Sequence, residues 1–362
     1  MNTPRHAGPL TALAGLLGLL LTACAGPGYY LQAIGGHLEL MRQREDVADI
    51  LSAGQADPAL RGQLELATEL RQFAFRELGL PDNGSYTQFV RTGRDAVTWN
   101  VVATPELSLD ARRWCFLVAG CVPYRGYFRR EAAEEFARRL AGDGYDVDIA
   151  PATAYSTLGW FEDPLLDTML SYRDEQLAAV LFHELAHQSV YVRGDTAFNE
   201  SYASFVEETG VTLWLRASGR ADRLPEWQGR RQAAAQFDSL LLQTRSRLAE
   251  LFDSPTPEAD KRRAKSALFD QLVADYQQLV GGAWNGESFY EGWFAKGLNN
   301  ARLALFTSYR GGMCAFEALY RETGQDMRHF HMRVNEQAAL EAAGRREWLA
   351  TPCPDVASRQ DL

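Results

Sequence analysis

Lysine is nearly missing from this chain: of 37 basic residues only Lys261, Lys265 and Lys296 are lysines, and the rest are arginine. That bias has the look of coding composition and says little about chemistry. Basic residues are also outnumbered by 47 acidic ones, which leaves a net charge of −10. Without a basic excess the chain has little with which to neutralise phosphates, so nucleic acid is not expected as a partner. Histidine is scarce, six residues in 362, and His6 lies in the first ten. No C-x-x-C pair occurs, so a cysteine-based zinc site lacks its usual spacing. Internal repeats and low-complexity linkers are absent as well. The apolar run Leu10–Leu21 is too short to span a bilayer, and Gly26-Pro27-Gly28 stops its continuation.

The composition that remains is ordinary for a globular protein, with 46% apolar and 23% charged residues. The length suits two domains or one large catalytic unit. Arg5 and His6 before the apolar run, and small residues after it, have the pattern of a secretory signal. The ending Leu21-Thr22-Ala23-Cys24 resembles the bacterial lipobox, in which the cysteine becomes the acylated first residue. That resemblance implies a removed segment 1–23 and a membrane anchor on Cys24. With Ala25 rather than aspartate next, it also implies sorting to the periplasmic face of the outer membrane. In an oxidising compartment the four other cysteines suggest disulfides, and Cys115 with Cys121, six apart with Gly120 easing a turn, is the favoured pair. Free buried thiols are the alternative.

Periodicity organises residues 24–362 as one unit in two parts. Residues 36–79 carry apolar positions at three- and four-residue steps (Leu38, Met41, Ile50, Leu51, Leu64, Leu66, Leu70, Phe73, Leu78) and predict helix, ended by Pro81-Asp82-Asn83-Gly84. Residues 97–102 and 145–149 predict strands with a helix over 130–140 between them. From Asp167 onward the pattern is helical, with long amphipathic stretches at Trp227–Phe252 and Asp260–Leu279. The expected class is α+β, mostly helical, a small mixed α/β part within 24–165 followed by a helical part over 166–362.

The chemistry concentrates after Asp174. Gln176–Phe182 is a strong helix former, and His183-Glu184-Leu185-Ala186-His187-Gln188 continues it. Residues four apart share a helix face, so His183 and His187 can meet one metal ion, with Glu184 beside them as general base. Catalytic zinc takes three protein ligands and leaves one position open. The third should follow the second histidine, and Phe198-Asn199-Glu200-Ser201-Tyr202-Ala203-Ser204-Phe205-Val206-Glu207 offers it.

These two stretches resemble the gluzincin metallopeptidases, in particular the aminopeptidase N branch, with its HELAHQ motif and its helix of the type Asn-Glu-Gly-Phe-Ala-Ser-Phe-Val-Glu. The resemblance implies a zincin-like catalytic part, Zn²⁺ held by His183, His187 and Glu200, and Glu184 as the catalytic base. His187 and Glu200 lie closer in sequence than in that family, and its Gly-Ala-Met-Glu-Asn segment is absent. The chain also looks like a compact bacterial family of exported aminopeptidases, on the blocks Cys121–Phe128, Ala154–Pro164 and Gly297–Ala301.

Other residues are candidates of lesser standing. Glu207, two turns after Glu200, can orient a histidine ligand or simply face solvent. Tyr309, Tyr155, Tyr124 and the pair His329/His331 are possible donors to a developing oxyanion. Ala154–Gly159 can be an edge strand that pairs with a peptide backbone. Glu162 and Asp163 can hold a substrate ammonium group. The expected activity is zinc-dependent removal of N-terminal residues from peptides. Rival readings are a zinc endopeptidase, an envelope lipoprotein that kept the fold without activity, and a metal-binding protein.

Overall fold

The computed structural model describes residues 27–116, 120–154, 162–306 and 312–353. It is a mostly helical α+β structure. Helices α1 (Pro27–Arg42), α2 (Val47–Ala53) and α3 (Pro58–Arg76) are followed by strands β2 (Gln88–Val90), β3 (Thr98–Pro105), β4 (Trp114–Phe116), β5 (Gly120–Val122) and β6 (Arg125–Tyr127). A two-residue strand, β1 (Glu45–Asp46), lies between α1 and α2. Then come α4 (Arg130–Gly142), β7 (Tyr145–Ala152), β8 (Leu165–Leu166) and α5 (Asp167–Leu170). The helical remainder comprises α6 (Asp174–Ser189), α7 (Thr196–Ala217), α8 (Leu224–Asp253), α9 (Glu258–Gly281) and α10 (Glu291–Phe294). It ends with α11 (Asn300–Phe306), α12 (Met313–Glu322), α13 (Met327–Ala338) and α14 (Ala342–Leu349).

The expected helical region over 36–79 is three helices rather than one. The break has local causes. Glu45 and Asp46 pair antiparallel with Phe89 and Gln88, and Asp46 then caps α2 by accepting from the Ala48 amide at 2.8 Å. Gly54, at φ 66°, ends α2, and Asp57 caps α3 with Pro58 at its first position. Helix α3 stops at Arg76, before the Pro81–Gly84 segment expected to end it. Leu38 is 46% exposed, although its spacing suggested core.

β3 sits between β6 and β7 in an antiparallel sheet, with Thr98 opposite Ala152 and Pro105 opposite Tyr145. Helix α4 covers one face of it through Ala133, Ala137 and Leu140. A larger core runs from Leu40 to Leu349 and joins α3, α6, α7, α12 and α13. Helix α6 is its centre and is buried on nearly every side. A third cluster holds the α8–α9 hairpin, where Phe237 stacks on Tyr290 at 4.0 Å. The helical and β parts are clipped together by the Gly297–Ala301 run. Asn300, fully buried, donates to the carbonyls of Glu106 (2.9 Å) and Ser108 (3.0 Å), and Asn299 donates to the Val147 carbonyl.

Both disulfides are formed, Cys115–Cys121 across the β4–β5 hairpin and Cys314–Cys353 between α12 and the C-terminal segment. Closing the second, 39-residue loop removes unfolded-state freedom worth about 4 kcal/mol in the chain-entropy account.

His331 belongs to the core and does not line the cleft described below. Its Nε2 donates to the Leu78 carbonyl at 2.8 Å, which leaves Nδ1 to accept from the Tyr202 hydroxyl at 2.8 Å. Burial pushes its pKa down to about 4. The unfolded chain takes up a proton near pH 6.5 that the folded chain refuses until about pH 4. Stability from this group is therefore complete above pH 6.5 and is lost as pH falls toward 4, by about 3 kcal/mol. Urea midpoints between pH 7 and 4 should fall more steeply for the wild type than for His331→Asn. Equal slopes would remove His331 from the account.

Candidate metal centre

Helices α6 and α7 are antiparallel neighbours joined by the short turn Val190–Asp195. Their close approach is set at Gly210, where a Cβ would come within 2.8 Å of Leu78 and of Phe182, the residue before His183. The turn is held by an amide that mimics backbone. Asn199 donates to the Val192 carbonyl at 2.8 Å and accepts from the Val192 amide at 2.7 Å. Asp195 caps α7 by accepting from the Phe198 amide and is itself held by Arg345 at 2.8 Å. The β4–β5 hairpin braces the turn from outside. Gly120, at φ 76°, lies so close to Gly194 that a Cβ would approach its nitrogen at 2.9 Å, and Arg113 donates to the Gly194 carbonyl. These contacts place Glu200 opposite the histidine face of α6 despite the short spacing.

The three predicted ligands meet. One donor atom from each of His183, His187 and Glu200 lies within 4.8 Å of the others. The separations are 3.2 Å between the two Nε2 atoms, 3.3 Å from His183 Nε2 to the Glu200 carboxylate and 3.7 Å from His187 Nε2 to it. Ligands about 2.0–2.1 Å from a tetrahedral ion stand roughly 3.3 Å apart, so the donor set fits a zinc-sized cation with little adjustment.

The tautomer that this requires is already fixed for one histidine. His183 Nδ1 lies 3.1 Å from a Glu207 oxygen, so Nδ1–H donates there, and Nε2 is the nitrogen that would give up its proton to ligate a metal. Glu207 is in turn paired with Arg231 of α8 at 3.3 Å, and Arg231 also pairs with Glu208 and packs over the Trp227 ring. His187 Nδ1 is buried and has no hydrogen-bond partner among the described residues. Burial alone would lower the His183 pKa, but its bonds to Glu200 and Glu207 outweigh that and raise it well above the ordinary value. Burial would likewise raise the Glu200 pKa. The charge of His187 and the bonds to both histidines instead hold it far below the usual carboxylate range. A buried anion held ionised beside two imidazoles is a ready cation site.

The cluster opens into a cleft of about 400 Å³. Glu184 lines it beside the ligands, and so do Tyr124, Tyr191, Thr98 and Asn100. The far wall comes from α1, through Tyr29 and Ala33. Burial, then the nearby carboxylates of Glu200 and Glu184, push the Tyr124 hydroxyl up, so it stays protonated and can donate. Burial and Glu200 do the same to Tyr191.

Some expected residues are elsewhere. Glu162 is exposed and does not line the cleft. Asp163 is 1% exposed and accepts from Gln188 at 3.2 Å, so this carboxylate braces the end of α6 rather than facing a substrate. Among described residues the carboxylates lining the cleft are Glu184 and Glu200. His329 is exposed on α13, away from the cleft. Tyr155, Tyr309, Cys24 and the Tyr155–Gly159 part of the proposed edge strand lie outside the described residues; Ala154 lines the cleft. Arg231, Tyr191, Asn100 and the α1 residues were not foreseen. Tyr191 follows His187 by four residues, a spacing that could have marked it, and its ring contacts the His187 ring at 6.4 Å. The others are scattered in sequence, and no spacing rule links them to the histidines.

Two histidines and a carboxylate converging beside an unligated glutamate define a site that can hold a divalent cation next to a general base. Residues 28–349 match the model of the family described as "Putative aminopeptidase", and the chain belongs to that family. No curated protein and no solved structure matches the chain.

Proposed function

We propose that the protein is a zinc-dependent aminopeptidase of the gluzincin kind, exported and held at the cell envelope by an acylated Cys24. The observation that carries the reading is the His183, His187 and Glu200 cluster with Glu184 at its side in an open cleft. Family membership supports peptidase chemistry.

Zinc, when bound by these three residues, supplies Lewis-acid polarisation of a carbonyl and lowers the pKa of water toward 7. The chain supplies the rest. Glu184 takes a proton from the attacking water and returns it to the leaving amine. Tyr124, kept protonated by burial and two carboxylates, donates toward the developing oxyanion, with Tyr191 as the second donor of the same wall. Glu207, fixed by Arg231, holds the His183 ring in the ligating tautomer. Thr98 and Asn100 offer side-chain hydrogen bonds to a substrate backbone along the β3 side of the cleft.

Amino-acid arylamides and short peptides with free N-termini should be cleaved, and their N-acetylated versions resisted. Hydrolysis of interior bonds in N-acetylated peptides or casein, with arylamides untouched, would move the assignment to an endopeptidase and leave the zinc chemistry standing.

Anchoring has a separate test. Metabolic labelling with a fatty-acid analogue should mark the wild type and not Cys24→Ala. Label that persists on Cys24→Ala would refute the lipobox reading.

A further inference from the structure

Helix α1 has two apolar faces, and only one is covered. At 100° per residue, Tyr29, Ala33, Gly36 and Leu40 lie on one side, and Leu31, Ile34 and Leu38 lie within about 60° of one another on the opposite side. The first set is docked. Tyr29 packs against Phe116 and Tyr127 at 5.3 and 5.7 Å, under the Arg125 guanidinium. Gly36 sits so close to the Phe128 ring that a Cβ would overlap it, and Leu40 is 4% exposed in the main core. Gln32 accepts from the Phe128 amide and donates to the Gly126 carbonyl, which fixes the helix along β6. The second set faces outward, with Leu31 72%, Ile34 56% and Leu38 46% exposed. Leu31 exceeds every other large hydrophobic side chain among the described residues in exposure.

We infer that this outer face lies in the interface of the phospholipid bilayer that receives the Cys24 acyl chains. The inference rests on the lipoprotein reading above. Cys24 precedes Pro27 by three residues, which extend at most about 10 Å. Chains buried from Cys24 therefore hold the start of α1 at the headgroups whatever the rest of the molecule does. Three aliphatic side chains at the anchored end then meet lipid, and Arg42, exposed on the same face, suits the phosphates. Among the described residues no helix is long and apolar enough to cross a membrane, so α1 lies on the surface. A second copy of the chain is a poorer occupant. Three partly exposed aliphatic side chains fall well short of the ~800 Å² per partner of a stable interface.

The placement has a consequence for the site. Tyr29 and Ala33 form the cleft wall on the other side of the same helix, so that wall stands one helix diameter, about 10 Å, from the lipid. The anchor thereby orients the cleft relative to the membrane and does more than tether the chain.

Nitroxide labelling tests this on the mature acylated protein in phosphatidylethanolamine/phosphatidylglycerol vesicles. Acylated Cys24 and the two disulfides leave an introduced cysteine as the free thiol among these positions. Leu31→Cys, Ile34→Cys and Leu38→Cys alter exposed positions and leave the core contacts in place, and Met332→Cys, 61% exposed on α13, serves as reference. Labels at 31, 34 and 38 should collide with lipid-dissolved oxygen several-fold more than with a water-soluble nickel chelate, and the label at 332 should do the reverse. Four labels that all read as water-exposed would overturn the inference. So would dipolar broadening at position 34 that vanishes on dilution with unlabelled protein, because a second copy would then cover the face. Absence of acyl mass on the Cys24 peptide would remove the premise. None of these readouts depends on zinc or hydrolysis, so the peptidase reading stands or falls separately.

Discussion

Glu184→Gln should retain its zinc and lose hydrolysis by about 10²–10⁴-fold, the range for removal of a general base. The expectation follows from the division of labour on α6. His183 and His187 point their Nε2 atoms at Glu200, whereas Glu184 lines the cleft without belonging to the ligand cluster. Glutamine preserves size and the helix, but its amide cannot accept a proton from water. The check is metal content by mass spectrometry beside kcat/KM on an amino-acid arylamide. If the variant hydrolyses the arylamide at near the wild-type rate, the mechanism fails even if zinc is present. If it loses zinc, Glu184 belongs among the ligands.

Glu200→Ala should lose most of its zinc, and with it the activity. Two imidazoles alone leave a tetrahedral ion short of the three protein ligands of a catalytic site. Glu207→Ala removes a group that touches the cluster through His183 Nδ1, so its expected cost is about 10–100-fold in zinc affinity. Glu200→Ala should exceed that. Competition with a chelator of known affinity ranks the two variants. Tighter zinc in Glu200→Ala than in Glu207→Ala would reverse the ligand assignment. The apo proteins add a second sign. Glu200 and Glu207 together keep His183 basic, so either variant should lower its pKa in metal-free protein, as nuclear magnetic resonance titration would show.

Much of the candidate site was readable because its residues are local. His183 and His187 share a helix face by spacing alone, and Glu200 lies on the next helix after one short turn. The strands at 98–105 and 145–152 and the helix at 130–142 agree closely with the alternation and periodicity that marked them. Cys115 and Cys121, register partners in a hairpin, were legible for the same reason. Failures occurred where a signal depended on distant chain. Leu38 has core-like spacing, yet it is 46% exposed, on the face of α1 opposite the one that docks on the protein. Asp163 and Glu162 looked available for a substrate, but Gln188 engages Asp163, and Glu162, though exposed, lays its carboxylate against Gly84 away from the cleft.

The sequence by itself determined which candidate metal-binding residues come together and that Glu184 lies beside them, because helix geometry turns a four-residue interval into a shared direction. Only the tertiary structure decided what surrounds them. Arg231 reaches Glu207 from α8, Tyr124 comes from beside a β-sheet, and α1 crosses over to wall the cleft. Each of those contacts joins segments dozens of residues apart, and no periodicity encodes such a distance. The packing of α6 among α3 and α7, driven by burial of Leu177, Leu181, Phe182 and Leu185, brings them to one place.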